Sequence, residues 1–338
     1  PSIYFASAVF LVTFSLFFVF FFRVRGVGSK VQICADRSLK YKRFLAFSIF
    51  SVFYAYLSVV GFKVPVLHNL LMLIFNSALV VCSYAFVTKV RYSRIVLVVF
   101  VLMILYMGFR YRLIFLFLPI LFFLFASVKI SVLSAIRYSL VFVLSVSVVA
   151  VVGVTRKYSE GLQLERLEGM NPIEILVKGI FNDTSTVMTS GAIIDWLSVS
   201  EKFAYFDQVW YILSYFVPSS IYPDKAYSPI FSYVSLVTGQ TANESGAAVL
   251  GVAEYYHTAG YFGVISFAIL IALLLAHFYK TAVWSRAKYS QFAYFMVLTW
   301  FINSMTRGYF PQNVNDLISI VVGLYLIKKF SGKFYPEV

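Results

Sequence analysis

The sequence predicts an all-α polytopic integral membrane protein with about nine to ten transmembrane helices. Hydrophobic residues make up 61% of the 338 residues and charged residues only 12%, which is far less charge than a soluble domain carries. Apolar runs close to the ~20 residues that cross a bilayer recur along the chain. The short alternating segments typical of a transmembrane barrel are absent from the sequence.

The predicted spans cover residues 2–22, 44–62, 69–88, 95–109, 113–128, 138–154, 261–279, 291–305 and 316–327. The loop 23–43 is rich in Lys and Arg, with Asp36 as its single acid, and the positive-inside rule places it in the cytoplasm. Alternating sides from there assigns most basic residues to the cytoplasmic side. The net charge of +14 therefore indicates topology and a lipid bilayer as partner, and no nucleic acid.

Three regions follow from these spans: N-terminal transmembrane helices (1–154), a large outer loop with short helices (155–260) and C-terminal transmembrane helices (261–338). Helical patches are predicted at 172–182, 186–199, 203–216 and 246–259. Pro172 after Asn171 is typical of a helix start. Nine spans with a cytoplasmic C-terminus place Pro1 outside, whereas one further helix upstream would place both ends in the cytoplasm.

Arg110 and Arg112 lie between the apolar runs 95–109 and 113–128. The first run is about 22 Å long as a helix, which is shorter than a hydrocarbon core of ~30 Å. Arg110 is therefore expected below the outer surface, either snorkelling to the interface or facing an anionic partner.

Glu254 and His257 are three residues apart on a predicted helix and therefore share a face. A carboxylate beside an imidazole suits general-base chemistry, although the same pair also fits a solvated polar face. Lys225, Arg307 and Arg156 are cations on the same outer side as Arg110, and together they could hold a phosphate group, although each alone also fits an interfacial anchor. Three scattered histidines and two separated cysteines predict no metal site.

Asp316 begins the last predicted span. We interpret it as a helix-start charge that the helix dipole favours. Because Asp316 then lies at the edge of its span, the interiors of the predicted spans are nearly free of charged residues.

A proline-rich turn with an internal lysine, FVPSSIYPDKAYSP, precedes the pattern Glu254-x-Tyr256-x-x-x-Gly260-x-x-Gly263, which leads straight into a span. This order resembles the C-terminal half of the Wzy-type O-antigen or repeat-unit polysaccharide polymerases. Gly108-Phe109-Arg110 is similar to a Gly-x-Arg feature of these polymerases and of the related O-antigen ligases.

The resemblance implies a glycosyltransferase C-like membrane fold whose large helical loop and active site face the periplasm of the bacterial inner (cytoplasmic) membrane. It implies an inverting glycosyltransferase of lipopolysaccharide biosynthesis that polymerises oligosaccharide repeat units. Donor and acceptor are both linked to undecaprenyl diphosphate, no cofactor is needed, and a chain-length regulator is a candidate partner.

The same resemblance suggests roles for individual residues. Either Glu254 or His257 is the catalytic base, and the external cations stabilise the leaving lipid diphosphate. Tyrosines supply sugar-binding platforms, with Tyr256 and Tyr222 as the main candidates. The cations are Arg110, Arg307, Lys225 and Arg156, and the further tyrosines are Tyr211, Tyr215, Tyr227 and Tyr255.

Two other functions remain open. An O-antigen ligase would transfer the finished glycan to lipid A–core with the same chemistry. A flippase or transporter of lipid-linked oligosaccharides also needs a cationic cavity, but it is expected to carry ionisable residues near mid-span. The nearly uncharged predicted spans argue against the transporter.

Overall fold

The computed structural model describes residues 2–23, 39–59, 68–107, 110–127, 147, 151, 154–157, 161–162, 164–181, 185–215, 217, 221–222, 249–285 and 287–331. Most of the predicted span 138–154 lies outside these residues, as do Lys225 and Tyr227. The side chains of Arg110, Arg156 and Tyr215 also lie outside the described part of the structure.

Helices dominate the described residues, and a single two-residue antiparallel pair, β1 (Arg156–Lys157) with β2 (Gly161–Leu162), stands beside them. A 3₁₀ turn at Leu164–Leu167 follows this pair. The helices, in chain order, are α1 Ser2–Arg23, α2 Tyr41–Val59, α3 His68–Val87, α4 Ser93–Met107, α5 Arg110–Ser127, α6 Pro172–Phe181, α7 Ser185–Ser200, α8 Tyr205–Tyr215, α9 Gly251–Ser285, α10 Lys288–Thr306 and α11 Phe310–Phe330.

Each predicted span except 138–154 overlaps one of these helices, although α9 and α11 begin before the spans predicted there. Among the described residues, four helical segments are long and apolar enough to cross a membrane. They are Ser2–Phe21, Leu70–Val87, Gly251–Ser285 and Phe310–Phe330. Shorter apolar helices lie at Ser93–Met107 and Arg112–Ala126. The prediction of an all-α multi-pass membrane protein is confirmed.

Of the four helical patches predicted in the outer loop, the first three are present as α6, α7 and α8, and the fourth, 246–259, overlaps the start of α9. The side-chain oxygen of Asn171 accepts a hydrogen bond of 2.7 Å from the backbone N–H of Glu174, so Asn171 caps α6 as its sequence predicts. The hydrogen bond that Lys178 donates to Glu174, over 2.8 Å, holds the pKa of that exposed carboxyl below its usual range.

Helix α3 forms the centre of the bundle, where it packs against α2, α4, α5 and α11. Every residue from 77 to 85 is buried, which is the expected environment of a helix that is apolar all round. Helix α9 packs against α1 and α10, and α7 bridges α1 and α9. Part of the outer loop is thus built into the helical bundle.

Helix α9 reverses direction at Ala259 and Gly260, which both lie outside helical backbone angles. The ring centroids of Tyr255 and Phe267 lie 4.5 Å apart, whereas twelve residues of straight helix would separate them by about 18 Å. A short arm (251–258) therefore folds back on a long arm (261–285). Gly260 adopts a φ of +61° with ψ of −145°, a conformation nearly restricted to glycine.

Gly263 is required at the same reversal for a different reason. A Cβ atom there would overlap the backbone oxygen of Tyr255 and lie 3.3 Å from its carbonyl carbon. The two arms thus touch backbone to backbone. The spacing Gly260-x-x-Gly263 encodes the turn itself.

One end of the bundle is basic, and there the start of α2 is tied to the end of α11. The backbone N–H of Lys40 donates to the oxygen of Phe330 over 3.2 Å, and Arg43 donates to the oxygen of Lys329 over 3.3 Å. Since α4 also begins at this end and α11 runs toward it, the positive-inside rule predicts that it faces the cytoplasm. The short arm of α9 lies at the opposite end.

Candidate functional site

The short arm of α9 meets the turn between α10 and α11, and polar residues are buried where they meet. The backbone N–H of Gly308 in this turn donates to the oxygen of Val249 over 2.6 Å. Glu254, Asn303 and Asn313 are buried here, at 0%, 1% and 4% exposure, and Arg307 is half-buried beside them. We call these four residues the polar junction.

Glu254 points at the N-terminus of α11. Its Oε1 accepts a hydrogen bond of 3.3 Å from the backbone N–H of Phe310, the first residue of that helix. Tyr309, at the capping position, makes no side-chain hydrogen bond of its own to the helix start. A carboxylate at a helix N-terminus is stabilised by the helix dipole, by roughly 0.3–1 kcal/mol or up to about 2 when partly buried.

His257 lies one turn further along the short arm and is fully buried. Its backbone oxygen accepts a hydrogen bond of 2.9 Å from the N–H of Ala204, in the linker between α7 and α8. Ser190 of α7 accepts a further hydrogen bond, of 2.8 Å, from the N–H of Leu250. The outer-loop helices therefore hold both ends of the short arm in place.

Arg307 is fixed through its backbone. Its N–H donates to the oxygen of Asn303 over 2.8 Å, and its own oxygen accepts from the side chain of Asn313 over 3.1 Å. Asn313 is anchored in turn, because Trp300 donates to its backbone oxygen over 2.8 Å. Arg307 is the one proposed diphosphate ligand whose side chain the structure describes, and it lies close in the chain to the helix end that Glu254 caps.

Two residues at the end of α10 carry buried polar atoms and are not among the predicted site residues. The side-chain oxygens of Asn303 and Ser304 have no hydrogen-bond partner among the described residues. Unsatisfied buried acceptors call for an explanation, and a ligand is one. The sequence signal was present, since an Asn-Ser pair interrupts the end of an apolar run at 291–305.

A second polar cluster lies between α3, α5 and α11. The guanidinium of Arg112 attracts the carboxylate of Asp316, and both side chains are buried. They line a cavity of about 10 Å³ together with Asn76 and Ser319, which is room for about one water molecule. Arg112 also lies 5.5 Å from the centre of the Phe75 ring, a cation–π distance.

Asp316 corrects two sequence-based expectations. Helix α11 begins at Phe310, so Asp316 lies inside the helix and is not its starting charge. The membrane helices are therefore not free of charge, because α5 buries Arg112 and α11 buries Asp316, and both side chains line one cavity. The boundary was misplaced because the first two turns of α11 carry inward-facing polar residues, which lower the apolar signal there.

The predicted sugar-binding tyrosines lie in different environments. Tyr256 is buried, with its ring centroid 5.8 Å from that of Phe203 and 5.1 Å from that of Tyr261. The exposed ring of this cluster belongs to Tyr261. Tyr222 is half-buried.

Two of the further tyrosines are also placed. The hydroxyl of Tyr211 lies 2.8 Å from that of Tyr309, beside the polar junction, and Tyr255 is buried against α1.

Within the described residues, no group of three or more His, Cys, Asp or Glu side chains is arranged to hold a metal ion.

Comparison of the chain with protein-family models, with curated proteins and with solved structures finds no match. The resemblance to polysaccharide polymerases therefore stays a prediction. The polar junction combines a buried carboxylate, a half-buried cation and the side-chain oxygen of Asn303, which has no donor among the described residues. In such a set, the carboxylate can accept a proton, the cation can hold an anion, and the side-chain oxygen can accept a hydrogen bond from a hydroxyl group.

Proposed function

We propose that this protein is a membrane-embedded inverting glycosyltransferase that joins oligosaccharide repeat units carried on undecaprenyl diphosphate. The observation that carries the proposal is the polar junction, where the resembling pattern from Glu254 to Gly263 folds into a reversal. That reversal buries Glu254 against the turn that carries Arg307. A polymerase of this type needs three kinds of group in one polar pocket at a membrane surface. They are a base, a cation, and side chains that accept hydrogen bonds from sugar hydroxyls.

The reaction proposed for the junction is a displacement at the anomeric carbon of the donor. A hydroxyl oxygen of the acceptor sugar forms the new glycosidic bond as the bond to the lipid diphosphate breaks. The bonding electrons leave with the diphosphate, whose growing negative charge a nearby cation such as Arg307 offsets. The hydroxyl proton passes to Glu254 or His257.

The buried acceptors extend this proposal to substrate recognition. The side-chain oxygens of Asn303 and Ser304 lie in the last turn of α10, next to the start of the short arm. Sugar hydroxyls are donors that could satisfy both. Because Glu254 and His257 are fully buried, a substrate hydroxyl reaches either group only after neighbouring side chains move aside.

The test separates the chemical role of Glu254 from its role at the helix end. Glu254→Gln keeps an oxygen for the N–H of Phe310 but removes the negative charge and the basicity. We expect folded protein in the membrane and a loss of polymerising activity by about 10² to 10⁴, as for removal of a general base. Glu168→Gln, at an exposed position, is the matched control and should remain fully active.

The assay is the lipopolysaccharide ladder of cells lacking this gene, complemented with wild type or with each variant. Core bearing a single repeat unit in the deletion strain, with the ladder restored by wild type and not by Glu254→Gln, supports the proposal. A full ladder from Glu254→Gln would show that Glu254 caps α11 and performs no proton transfer. An unchanged ladder in the deletion strain would refute the role in lipopolysaccharide synthesis.

Transport of lipid-linked oligosaccharides is the second candidate, and a specific observation favours it. Arg112 and Asp316 are ionisable and buried within membrane helices, as expected of residues on a substrate or ion pathway. A transporter predicts core without any repeat unit in the deletion strain. A ligase predicts the same core together with lipid-linked polymer that accumulates in the membrane, so the three functions give three different results.

A further inference from the structure

An apolar groove runs between α2 and α4, far from the polar junction. It encloses about 490 Å³, and several of its large side chains remain exposed, among them Ile49 at 61% and Ile95 at 63%. Hydrocarbon is the medium that such a surface requires in a membrane protein. Its walls include Leu45, Ile49 and Tyr56 of α2 and Ile95, Val99 and Met103 of α4.

The length of the groove matches one leaflet of a bilayer. Its wall on α2 extends from Leu45 to Tyr56, which corresponds to about 16 Å of helix. Half of a ~30 Å hydrocarbon core is about 15 Å. Because both α2 and α4 begin at the basic end of the bundle, the groove starts there and ends near the middle of the membrane.

Exposed cations lie in the chain just before the two walls of the groove begin. Lys42 lies one turn before Leu45 on the same face of α2, and Arg91 stands 4.8 Å from the ring centre of Tyr92, just before α4 begins. The sequence holds no Asp or Glu in residues 39–59 or 88–107. The mouth is therefore positively charged, and basic pockets between helices on the cytoplasmic side suit acidic lipid headgroups.

We infer that the α2–α4 groove binds an acyl chain of an anionic glycerophospholipid from the leaflet at the basic end. The phosphate of this lipid lies between Lys42 and Arg91, and the chain extends along the groove toward Tyr56. A second copy of the protein fits less well, because a two-fold contact would set these cations against their own copies. The site is independent of the proposed glycosyltransferase activity, because it opens at the opposite end of the bundle.

The experiment counts lipids that stay bound to the purified full-length protein. The protein is placed in nanodiscs of equal parts phosphatidylglycerol and phosphatidylcholine, released, and weighed by native mass spectrometry. We expect one phosphatidylglycerol to be retained about 30-fold more often than phosphatidylcholine, which is the preference that two surface cations provide. The double variant Lys42→Gln/Arg91→Gln should retain both lipids equally.

A matched pair of variants tests the location of the chain. Val99→Trp fills the groove and should lose the retained lipid. Val98→Trp places the same side chain at a neighbouring exposed position of α4 that does not line the groove, and it should keep the lipid.

Equal retention of the two lipids by wild type would overturn the inference, as would wild-type retention by Val99→Trp. A dimer without bound lipid would show that a second copy covers the groove, and this result would also overturn the inference. None of these outcomes depends on enzymatic activity, so failure here is distinguishable from failure of the proposed function.

Discussion

Replacing Gly263 with alanine should open the reversal in α9. The added Cβ would overlap the oxygen of Tyr255 and lie 3.3 Å from its carbonyl carbon. Both atoms belong to the backbone, so no side-chain rotation relieves the overlap and the two arms must separate. Overpacking of this kind costs about 1–3 kcal/mol of stability. The short arm carries Glu254, so the fraction of protein with an intact polar junction should fall as well.

The measurement is unfolding of the purified protein in mixed micelles by titration with a denaturing detergent, compared with wild type. Gly191→Ala is the matched control, because its new Cβ would meet the nearest atom, Cγ2 of Ile3, at 3.6 Å, an ordinary contact distance. Gly191 lies inside α7, where alanine is favoured over glycine by up to about 1 kcal/mol. Wild-type stability for Gly263→Ala would refute the backbone contact between the two arms.

The remaining predictions use the same unfolding measurement. Asp316→Ala removes the buried carboxyl that lines the same cavity as Arg112 and should cost about 1–3 kcal/mol. The double variant Asp316→Ala/Arg112→Met should recover part of this loss, and equal losses would show that the two charges do not interact. Ser190→Ala leaves the half-buried N–H of Leu250 without its acceptor and should cost about 1–3 kcal/mol. Its control, Ser198→Ala at an exposed position, should stay within about 0.5 kcal/mol of wild type, and a similar small effect for Ser190→Ala would contradict the anchoring of the short arm by α7.

The polar junction shows why a fully buried carboxylate is tolerated at a membrane surface. An isolated buried charge is costly. Glu254, however, accepts a hydrogen bond from the backbone N–H of Phe310, and it lies at the positive end of the α11 dipole, which stabilises a negative charge. One side chain thus contributes to stability whether or not it also accepts a proton, and the Gln variant separates the two roles.

Hydropathy alone located most of the helices, because a membrane helix must satisfy its backbone groups internally and present apolar side chains to lipid. Local chemistry was equally informative at Asn171 and Pro172, where cap and first-turn preferences act within a few residues. The start of α11 was placed too late because Asn313 and Asp316 face the interior. A hydropathy average assigns polar residues to water and cannot register partners that lie on another helix.

The site was predictable only in part. The sequence drew attention to Glu254, His257 and Arg307 through their residue types and spacing. It gave no indication that Glu254 caps α11, that Arg112 and Asp316 line one cavity, or that Oδ1 of Asn303 is buried without a hydrogen-bond partner among the described residues. Each of these facts depends on residues from helices distant in the chain.

Composition and periodicity by themselves determined that this chain is a bundle of membrane helices with one basic end. Both properties can be read from each segment separately, because lipid requires apolar side chains in every membrane helix and the charge asymmetry is a property of the individual loops. Only the tertiary structure decided that α9 folds back on itself and that the polar residues of α9, α10 and α11 converge. The physical reason is that a reversal at Gly260 and Gly263 needs a contact between backbones, and the contact exists only once both arms have packed.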